Sequence, residues 1–172
     1  MIVKFQEFEP QIHETAFIAP TADIIGDVII GKDSSVWFNT VIRGDMNYIR
    51  IGERTNIQDL TVIHITNQSR ASQGFPVIIG DDVTVGHSAV IHACEIQNAC
   101  LIGMGSIILD GAVIGEESIV GAGSLVTKGK IFPSRSLIMG SPAGFVRLLA
   151  EDEVKNIYES AANYVSYKSK YV

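Results

Sequence analysis

Isolated Ile and Val residues recur every six positions along most of this chain, and many are followed by Gly. Such a period is typical of a β-helix built from hexapeptide repeats, in which each repeat buries its aliphatic residue against neighbouring coils. An ordinary β-meander alternates with period two and shows no preference for multiples of six. The aliphatic positions that keep this register are Ile18, Ile24, Ile30, Val36, Ile42, Ile51, Ile57, Ile63, Ile79, Val85, Ile91, Ile96, Ile102, Ile108, Ile114, Val120 and Val126, continued by Phe132 and Ile138.

Three hexads form one triangular coil, so the pattern predicts three columns of inward-pointing residues. The first column comprises residues 18, 36, 57, 85, 102, 120 and 138, the second comprises 24, 42, 63, 91, 108 and 126, and the third comprises 30, 51, 79, 96, 114 and 132. Irregular spacing after Ile42, Ile63 and Ile91 is expected to be local. Adjacent coils would lie about 4.8 Å apart, the spacing of neighbouring strands.

The boundaries follow from where this period stops. We predict a single domain over residues 1–172, with the β-helix over 18–140. From Glu151 onward, Val154, Ile157 and Ala161 have helical spacing, which predicts an α-helix over 151–170. Acidic residues at its start suit the helix dipole, and its apolar stripe is expected to pack on the β-helix wall. The fold class is therefore all-β with a C-terminal α-helix.

Charge and composition exclude several classes of protein. The net charge is −6 without a Lys/Arg cluster, which argues against nucleic acid and anionic membrane as partners. No apolar run approaches the ~20 residues of a membrane span. No signal peptide is visible, which predicts a cytoplasmic location. Cys94 and Cys100 fall on different faces, so no disulfide is expected.

Two histidines follow inward residues of the second column. His64 follows Ile63 and His92 follows Ile91, so both side chains point outward one coil apart. Arg43 has the corresponding position one coil earlier. Imidazoles at strand spacing can share a metal ion, although exposed histidines are commonly just solvated, and His13 is interpreted in that way.

His87 lies on another face. It comes two places after Val85 of the first column, and Asp59 has the same position one coil earlier. His87 would therefore reach His64 and His92 only from a neighbouring subunit, through a heterologous contact that closes into a trimeric ring. Three imidazoles with an open fourth position are typical of catalytic zinc. Trp37, which points outward from the first column, is predicted to lie in the same subunit contact.

With these motifs in hand, the chain resembles the gamma-class carbonic anhydrases and the related carbonic anhydrase-like, ferripyochelin-binding-like proteins. The motifs are Arg43-Gly44-Asp45, the run from Asn56 to Asp59, His64, and His87 with His92. The resemblance implies a homotrimer of left-handed parallel β-helices, with metal between subunits and CO2 and bicarbonate as the substrate pair.

The resemblance also implies residue roles. His64, His87 and His92 would bind Zn²⁺, or Fe²⁺ or Co²⁺, which imidazole also suits. Gln58 would orient the metal-bound hydroxide, and Tyr164 of the C-terminal helix would lie near the site. The interfacial ion-pair network would consist of Arg43, Asp45 and Asp59.

The chain departs from the active members of that family in its acidic residues. Met46 stands where they carry a glutamate, and the loop from Thr66 to Pro76 contains no Asp or Glu. Carboxylates at those places export protons, so weak CO2 hydration is expected.

Other functions remain open at this point, because a fold does not fix a function. Gly140-Ser141-Pro142-Ala143 resembles a superfamily segment near the pantetheine arm, which would suit a coenzyme A-linked acyltransferase. Metal-dependent thioester hydrolysis would use the same ligands. A non-catalytic trimeric assembly subunit would use them only structurally.

Overall fold

The computed structural model describes residues 1–67 and 74–171, and in them the chain forms short β-strands and one helix, α1 (Glu151–Lys168). In chain order the strands are β1 (Ile2–Val3), β2 (Gln11–Ile12), β3 (Phe17–Ile18), β4 (Asp23–Ile30), β5 (Ser35–Val36), β6 (Val41–Ile51), β7 (Asn56–Ile57), β8 (Val62–His64), β9 (Val77–Ile79), β10 (Thr84–Val85), β11 (Val90–His92), β12 (Glu95–Ile96), β13 (Leu101–Ile102), β14 (Ile107–Ile108), β15 (Val113–Ile114), β16 (Ile119–Val120), β17 (Leu125–Val126), β18 (Ile131–Phe132), β19 (Ser136–Gly140) and β20 (Ala143–Leu148).

The three predicted columns form three stacks of parallel strands. The first column builds an eight-stranded sheet in the order β20-β19-β16-β13-β10-β7-β5-β3. The second and third columns join in one twelve-stranded sheet, because β4 and β6 continue around the corner between them. Inward residues pair in the predicted register, as Ile63 does with Ile91 and Ile91 with Ile108. The parallel β-helix is confirmed.

The outward surfaces of these stacks are named here after their columns. The first face is that of β5, β7, β10, β13 and β16. The second face is that of β8, β11, β14 and β17. The third face is that of β9, β12, β15 and β18.

The interior of the β-helix is a continuous aliphatic core, in which Ile57, Ile63 and Ile91 are fully buried. Small hydroxyl residues fill the corners: Thr40 Oγ1 donates to the Gln58 carbonyl oxygen at 2.9 Å, and Ser106 Oγ donates to that of Gly121 at 3.0 Å. These bonds satisfy buried carbonyl groups at each turn, where strand pairing stops. Thr40 and Ser106 each lie four places after an inward residue, Val36 and Ile102, and these bonds explain why a small hydroxyl residue suits that position of the repeat.

Helix α1 lies on the first face, as its single apolar stripe predicts. Val154 and Ile157 pack with Leu149, Ala99 and the outward residues of β13, β16 and β19. At the start of the helix, Glu153 accepts hydrogen bonds from the Ala150 backbone N–H and the Arg147 guanidinium. The helix ends two residues before the predicted boundary, with Ser169 as its C-cap.

The prediction that Trp37 lies in a subunit contact is wrong for this structure. Instead of pointing into a subunit contact, it is buried to 6% exposure beneath the C-terminal segment of its own chain. Its ring lies 5.3 Å from that of Phe17, 5.5 Å from that of Tyr164 and 5.4 Å from that of Tyr171. The hexad pattern gives the direction of an outward side chain but not what covers it.

Two further segments complete the description. Strand β20 returns antiparallel to β19, which extends the first sheet beyond the predicted end of the β-helix at residue 140. Residues 68–73 of the predicted carboxylate-free loop lie outside the described residues.

Both cysteines are free and buried, and burial raises the pKa of the Cys100 thiol to about 12. No helix in the described part of the chain is long and apolar enough to cross a membrane.

Candidate metal centre

His64 and His92 stand side by side on the second face because their strands are in register. Residue 64 pairs with residue 92 between β8 and β11, and Arg43 pairs with His64 between β6 and β8. The imidazole centroids lie 5.4 Å apart, and His64 Nδ1 is 3.3 Å from His92 Nε2. The predicted stacking of the two histidines is therefore present within one chain.

A carboxylate holds the other ring nitrogen of each of these histidines. His64 Nε2 lies 3.2 Å from Asp45 Oδ1, and His92 Nδ1 lies 2.5 Å from Asp110 Oδ1. An ionised carboxylate can only accept hydrogen bonds, so each of these nitrogens carries the proton. In the neutral rings, the remaining nitrogens, His64 Nδ1 and His92 Nε2, are lone-pair donors that face each other.

This donor arrangement suits a metal ion. Two facing lone pairs repel each other unless a cation lies between them, and imidazole in its neutral form is the ligand of Zn²⁺ and similar metals. Burial lowers the pKa of His64 below its ordinary value, despite the opposing effect of Asp45. His64 is therefore neutral at pH 7, the form that ligation requires.

His87 shows the same pairing on the first face. Its Nδ1 lies 2.8 Å from Asp59 Oδ2, and its side chain is 46% exposed. The Asp59 contact leaves His87 Nε2 as a lone-pair donor in the neutral ring. Each of the three histidines therefore pairs one ring nitrogen with a carboxylate, the usual arrangement around protein-bound metals.

The three histidines do not converge within one chain. Among residues 1–67 and 74–171, no three His, Cys, Asp or Glu side chains lie close enough together to hold a metal ion. The sequence-based prediction that His87 cannot join His64 and His92 in the same subunit agrees with this arrangement.

Gln58 is buried at the edge of the first face and belongs to a chain of hydrogen bonds. Gln58 Nε2 donates to Asn56 Oδ1 at 3.1 Å, and Asn56 Nδ2 donates to Thr84 Oγ1 at 2.9 Å. Thr84 Oγ1 in turn lies 3.2 Å from Ser160 Oγ of α1. The bond to Asn56 fixes the orientation of the Gln58 amide, and Oε1 is its atom that can accept a hydrogen bond from a ligand.

Tyr164 lines the same groove on the first face. The groove has a volume of about 500 Å³, and its polar lining includes Gln58, His87, Ser160 and Tyr164. Burial raises the pKa of Tyr164, so its phenol stays protonated at neutral pH. Of the neighbouring tyrosines, Tyr158 donates instead to Glu117 at 3.1 Å, and Tyr167 packs on Tyr164.

Of the two predicted acidic partners of Arg43, only Asp45 contacts it within the chain. Arg43 Nη1 donates to Asp45 Oδ2, so Asp45 bridges Arg43 and His64. Burial tends to raise the pKa of Asp45, but hydrogen bonds from Arg43 and His64 outweigh it and leave the pKa below its usual value. Asp59 pairs with His87 on another face. The proposed ion-pair network is thus split between two faces of the prism.

Asp110, Thr84 and Ser160 were not foreseen from the sequence. Asp110 occupies the turn after β14, two places after inward Ile108. Its weak sequence signal is an acidic residue in the turn one coil beyond His92. Thr84 carried no signal because serine and threonine recur at structural positions throughout the repeats, and Ser160 is one of several polar residues of α1.

Comparisons with known proteins first define the class. Residues 9–44 and 93–128 match the family model described as bacterial transferase hexapeptide (six repeats). Residues 76–96 match the hexapeptide repeat of succinyl-transferase. A solved hexapeptide transferase family protein from Anaplasma phagocytophilum superposes with a TM-score of 0.92 at 45% identity, over 99% of this chain and 98% of that one. The fold is that of the hexapeptide-repeat proteins.

Sequence relatives narrow this class. The protein named "Probable carbonic anhydrase" of Methanocaldococcus jannaschii is 52% identical over 90% of this chain and 93% of its own length. Gamma carbonic anhydrase 2, mitochondrial, of Arabidopsis thaliana is 45% identical over 91% of this chain. This chain belongs to the gamma carbonic anhydrase-like family of hexapeptide-repeat proteins. It spans 56% of the length of the Arabidopsis relative.

Proposed function

We propose that this chain is the subunit of a metal-dependent, gamma-type carbonic anhydrase that interconverts CO2 and bicarbonate. The observation that carries the proposal is the pairing of His64, His87 and His92 each with its own carboxylate, which leaves one lone pair per ring for a metal. Zn²⁺ held by three histidines lowers the pKa of water to about 7 and so supplies hydroxide at neutral pH. Fe²⁺ or Co²⁺ would suit the same ligands.

The neighbouring residues have complementary roles in this proposal. Gln58 Oε1 accepts a hydrogen bond from the reacting hydroxyl and so fixes its direction, while Asn56 holds the amide in that orientation. Tyr164, which stays protonated, can donate a hydrogen bond to an oxygen of bicarbonate. Asp45, Asp59 and Arg43 act by orienting His64 and His87 and by linking the subunits.

A homotrimer is part of the proposal, because the ligands lie on two faces of one chain. Beside His64 and His92, the second face exposes an apolar row formed by the residues just before its inward positions, among them Val62 and Ile107, which are 41% and 38% exposed. The first face offers a groove lined by Leu101, Ile119 and glycines next to His87. Contact between these unlike faces, repeated around a threefold axis, would close a ring with three sites.

The decisive experiment combines elemental analysis of purified protein with stopped-flow CO2 hydration. We expect about one metal per chain, and a CO2 hydration rate that rises with imidazole buffer concentration, because Met46 stands where active members of the family carry a proton-exporting glutamate. Met46→Glu should raise the rate in dilute buffer. A metal-loaded protein without CO2 hydration would overturn the proposal, as would purified protein that takes up no metal. Replacement of His64, His87 or His92 by Ala should in each case abolish tight metal binding, whereas His13→Ala, the matched control, should not.

Hydrolysis of a thioester is a second candidate. The observation that favours it is the groove of about 500 Å³ beside His87 in the single chain, of which any part that a neighbouring subunit leaves open would receive the acyl group. A Vibrio cholerae hexapeptide-repeat acetyltransferase solved with acetyl coenzyme A is 26% identical over 71% of this chain, with a TM-score of 0.58. Release of free thiol from acetyl coenzyme A, lost on metal removal, would support this candidate. Metal binding without either activity would favour a trimeric assembly subunit. A cytoplasmic location remains a prediction.

A further inference from the structure

Asp110 is an unforeseen carboxylate beside the candidate metal centre. It lies in the turn after β14, and its coil stacks directly on that of His92 because Ile108 pairs with Ile91. Its Oδ1 lies 2.5 Å from His92 Nδ1, and its side chain is 22% exposed. Its acceptor is a carboxylate, and hydrogen bonds to ionised groups are stronger than those between neutral groups.

The position of the proton on His92 decides what its other nitrogen can do. With the proton on Nδ1, held by Asp110, His92 Nε2 is a lone pair directed at His64 Nδ1, 3.3 Å away. With the proton on Nε2, His92 would instead donate a hydrogen bond to His64 Nδ1 across the same distance. The two imidazoles would then satisfy each other, and both lone pairs would be lost to a metal.

We infer that Asp110 is a positioning residue that keeps His92 in the Nδ1–H tautomer and thereby prevents the His64–His92 pair from closing on itself. The inference rests on the proposed metal-binding function of these histidines. Asp45 acts in the same sense on His64 by holding Nε2. Loss of a carboxylate that orients a ligating histidine typically weakens metal affinity by about 10–100-fold.

Asp110→Ala removes the acceptor, and Asp110→Asn keeps its shape and one neutral acceptor oxygen. The matched control is Asp82→Ala, because Asp82 is also a half-buried turn carboxylate, 23% exposed, but it pairs with Arg54 instead of a histidine. The first readout uses metal-free protein with ¹⁵N-labelled histidine, whose ring nitrogen shifts report the tautomer. The second readout is the dissociation constant for Zn²⁺, measured by competition with a chelator.

We expect the Nδ1–H tautomer of His92 in wild type and in Asp82→Ala, and the Nε2–H form or a mixture in Asp110→Ala. Zn²⁺ affinity should fall about 10–100-fold in Asp110→Ala, less in Asp110→Asn, and stay unchanged in Asp82→Ala. An unchanged tautomer in Asp110→Ala, or a changed tautomer with unchanged Zn²⁺ affinity, would overturn the inference. Wild-type protein that binds no Zn²⁺ but shows the tautomer change would refute the proposed function while supporting the effect of Asp110 on His92.

Discussion

The first and second faces of this β-helix are built from the same hexads but have different surroundings. Helix α1 and Tyr171 cover part of the first face and bury Trp37. The second face carries His64 and His92 beside exposed aliphatic residues such as Val62 and Ile107, whereas α1 packs on β5, β7 and β10 of the first face. The inward residues therefore build the prism, while the outward residues divide the candidate site into two incomplete halves.

This difference explains why neither face is a complete site. The second face supplies two lone pairs with fixed direction, and the first face supplies His87 together with Gln58 and Tyr164. A catalytic zinc site needs three protein ligands and an open position. The proposed metal site can therefore be complete only where the second face of one subunit meets the first face of another. The first prediction tests this requirement.

The largest effect is expected from separating the two half-sites in different chains. Chains that carry His87→Ala and chains that carry His64→Ala should each bind no metal tightly. Removal of one of the three ligands takes away much of the free energy of zinc binding. After co-assembly, each mixed trimer has one seam where an intact second face meets an intact His87. Mixed trimers should therefore regain about one metal each, measured by elemental analysis after separation on two affinity tags. Mixed trimers that stay metal-free would show that the half-sites do not meet.

The next effect concerns the covered face. Trp37→Ala should lower the free energy of unfolding by about 3–5 kcal/mol, the usual cost of deleting a buried Trp or Phe side chain. Trp37→Phe should lower the free energy of unfolding less, because it removes mainly the hydrogen bond from Nε1 to Ser35 Oγ at 2.9 Å. Denaturant unfolding measures both. If Trp37→Ala left unfolding unchanged but raised the concentration at which the subunits separate, the tryptophan would belong to a subunit contact after all.

Much of the fold, and less of the site, could be predicted from the sequence. Inward positions are predictable because a six-residue period leaves one arrangement that buries the aliphatic residue at the repeating position of each hexad. Register then follows, and it brings His64 and His92 together. Asp110 was missed because it lies two places after its inward residue, Ile108, whereas His92 lies one place after Ile91, so no shared repeat position links the two in the sequence. Trp37 was misassigned because the apolar stripe of α1 shows that the helix must pack, but not on which face.

A third effect compares equivalent positions on two faces. Ile107 of the second face and Ile131 of the third face each precede an inward residue, and both are exposed, to 38% and 74%. Ile107→Asp should weaken association by about 2 kcal/mol or more, the scale of an interface hot spot, because it buries an unpaired charge. Ile131→Asp should leave association unchanged. Sedimentation equilibrium over a range of concentrations measures the difference, and equal behaviour of the two variants would contradict the assignment of the second face to the interface.

The smallest effect tests how the end of α1 is fixed over the first face. Lys168 Nζ is buried and donates to the Thr15 carbonyl oxygen and to Asp33 Oδ1, the latter at 3.0 Å. Asp33 has a φ of +58°, a conformation that asparagine also tolerates, so Asp33→Asn removes the charge without straining the backbone. We expect a loss of about 1 kcal/mol at pH 7, the scale of a partly buried charged hydrogen bond.

The pH dependence of that loss identifies its cause. The hydrogen bond from Lys168 lowers the pKa of Asp33 in the folded chain below its ordinary value of 3.8. A lowered carboxyl pKa contributes stability that is complete above the unfolded-state value and is lost as the pH falls through the folded-state value. The difference in unfolding free energy between wild type and Asp33→Asn should therefore stay constant from about pH 7 down to about pH 5 and shrink below 3.8. Histidine protonation is common to both chains and cancels in the difference. A gap that persists undiminished in acid would show that Asp33 acts through shape and not through its charge on Lys168.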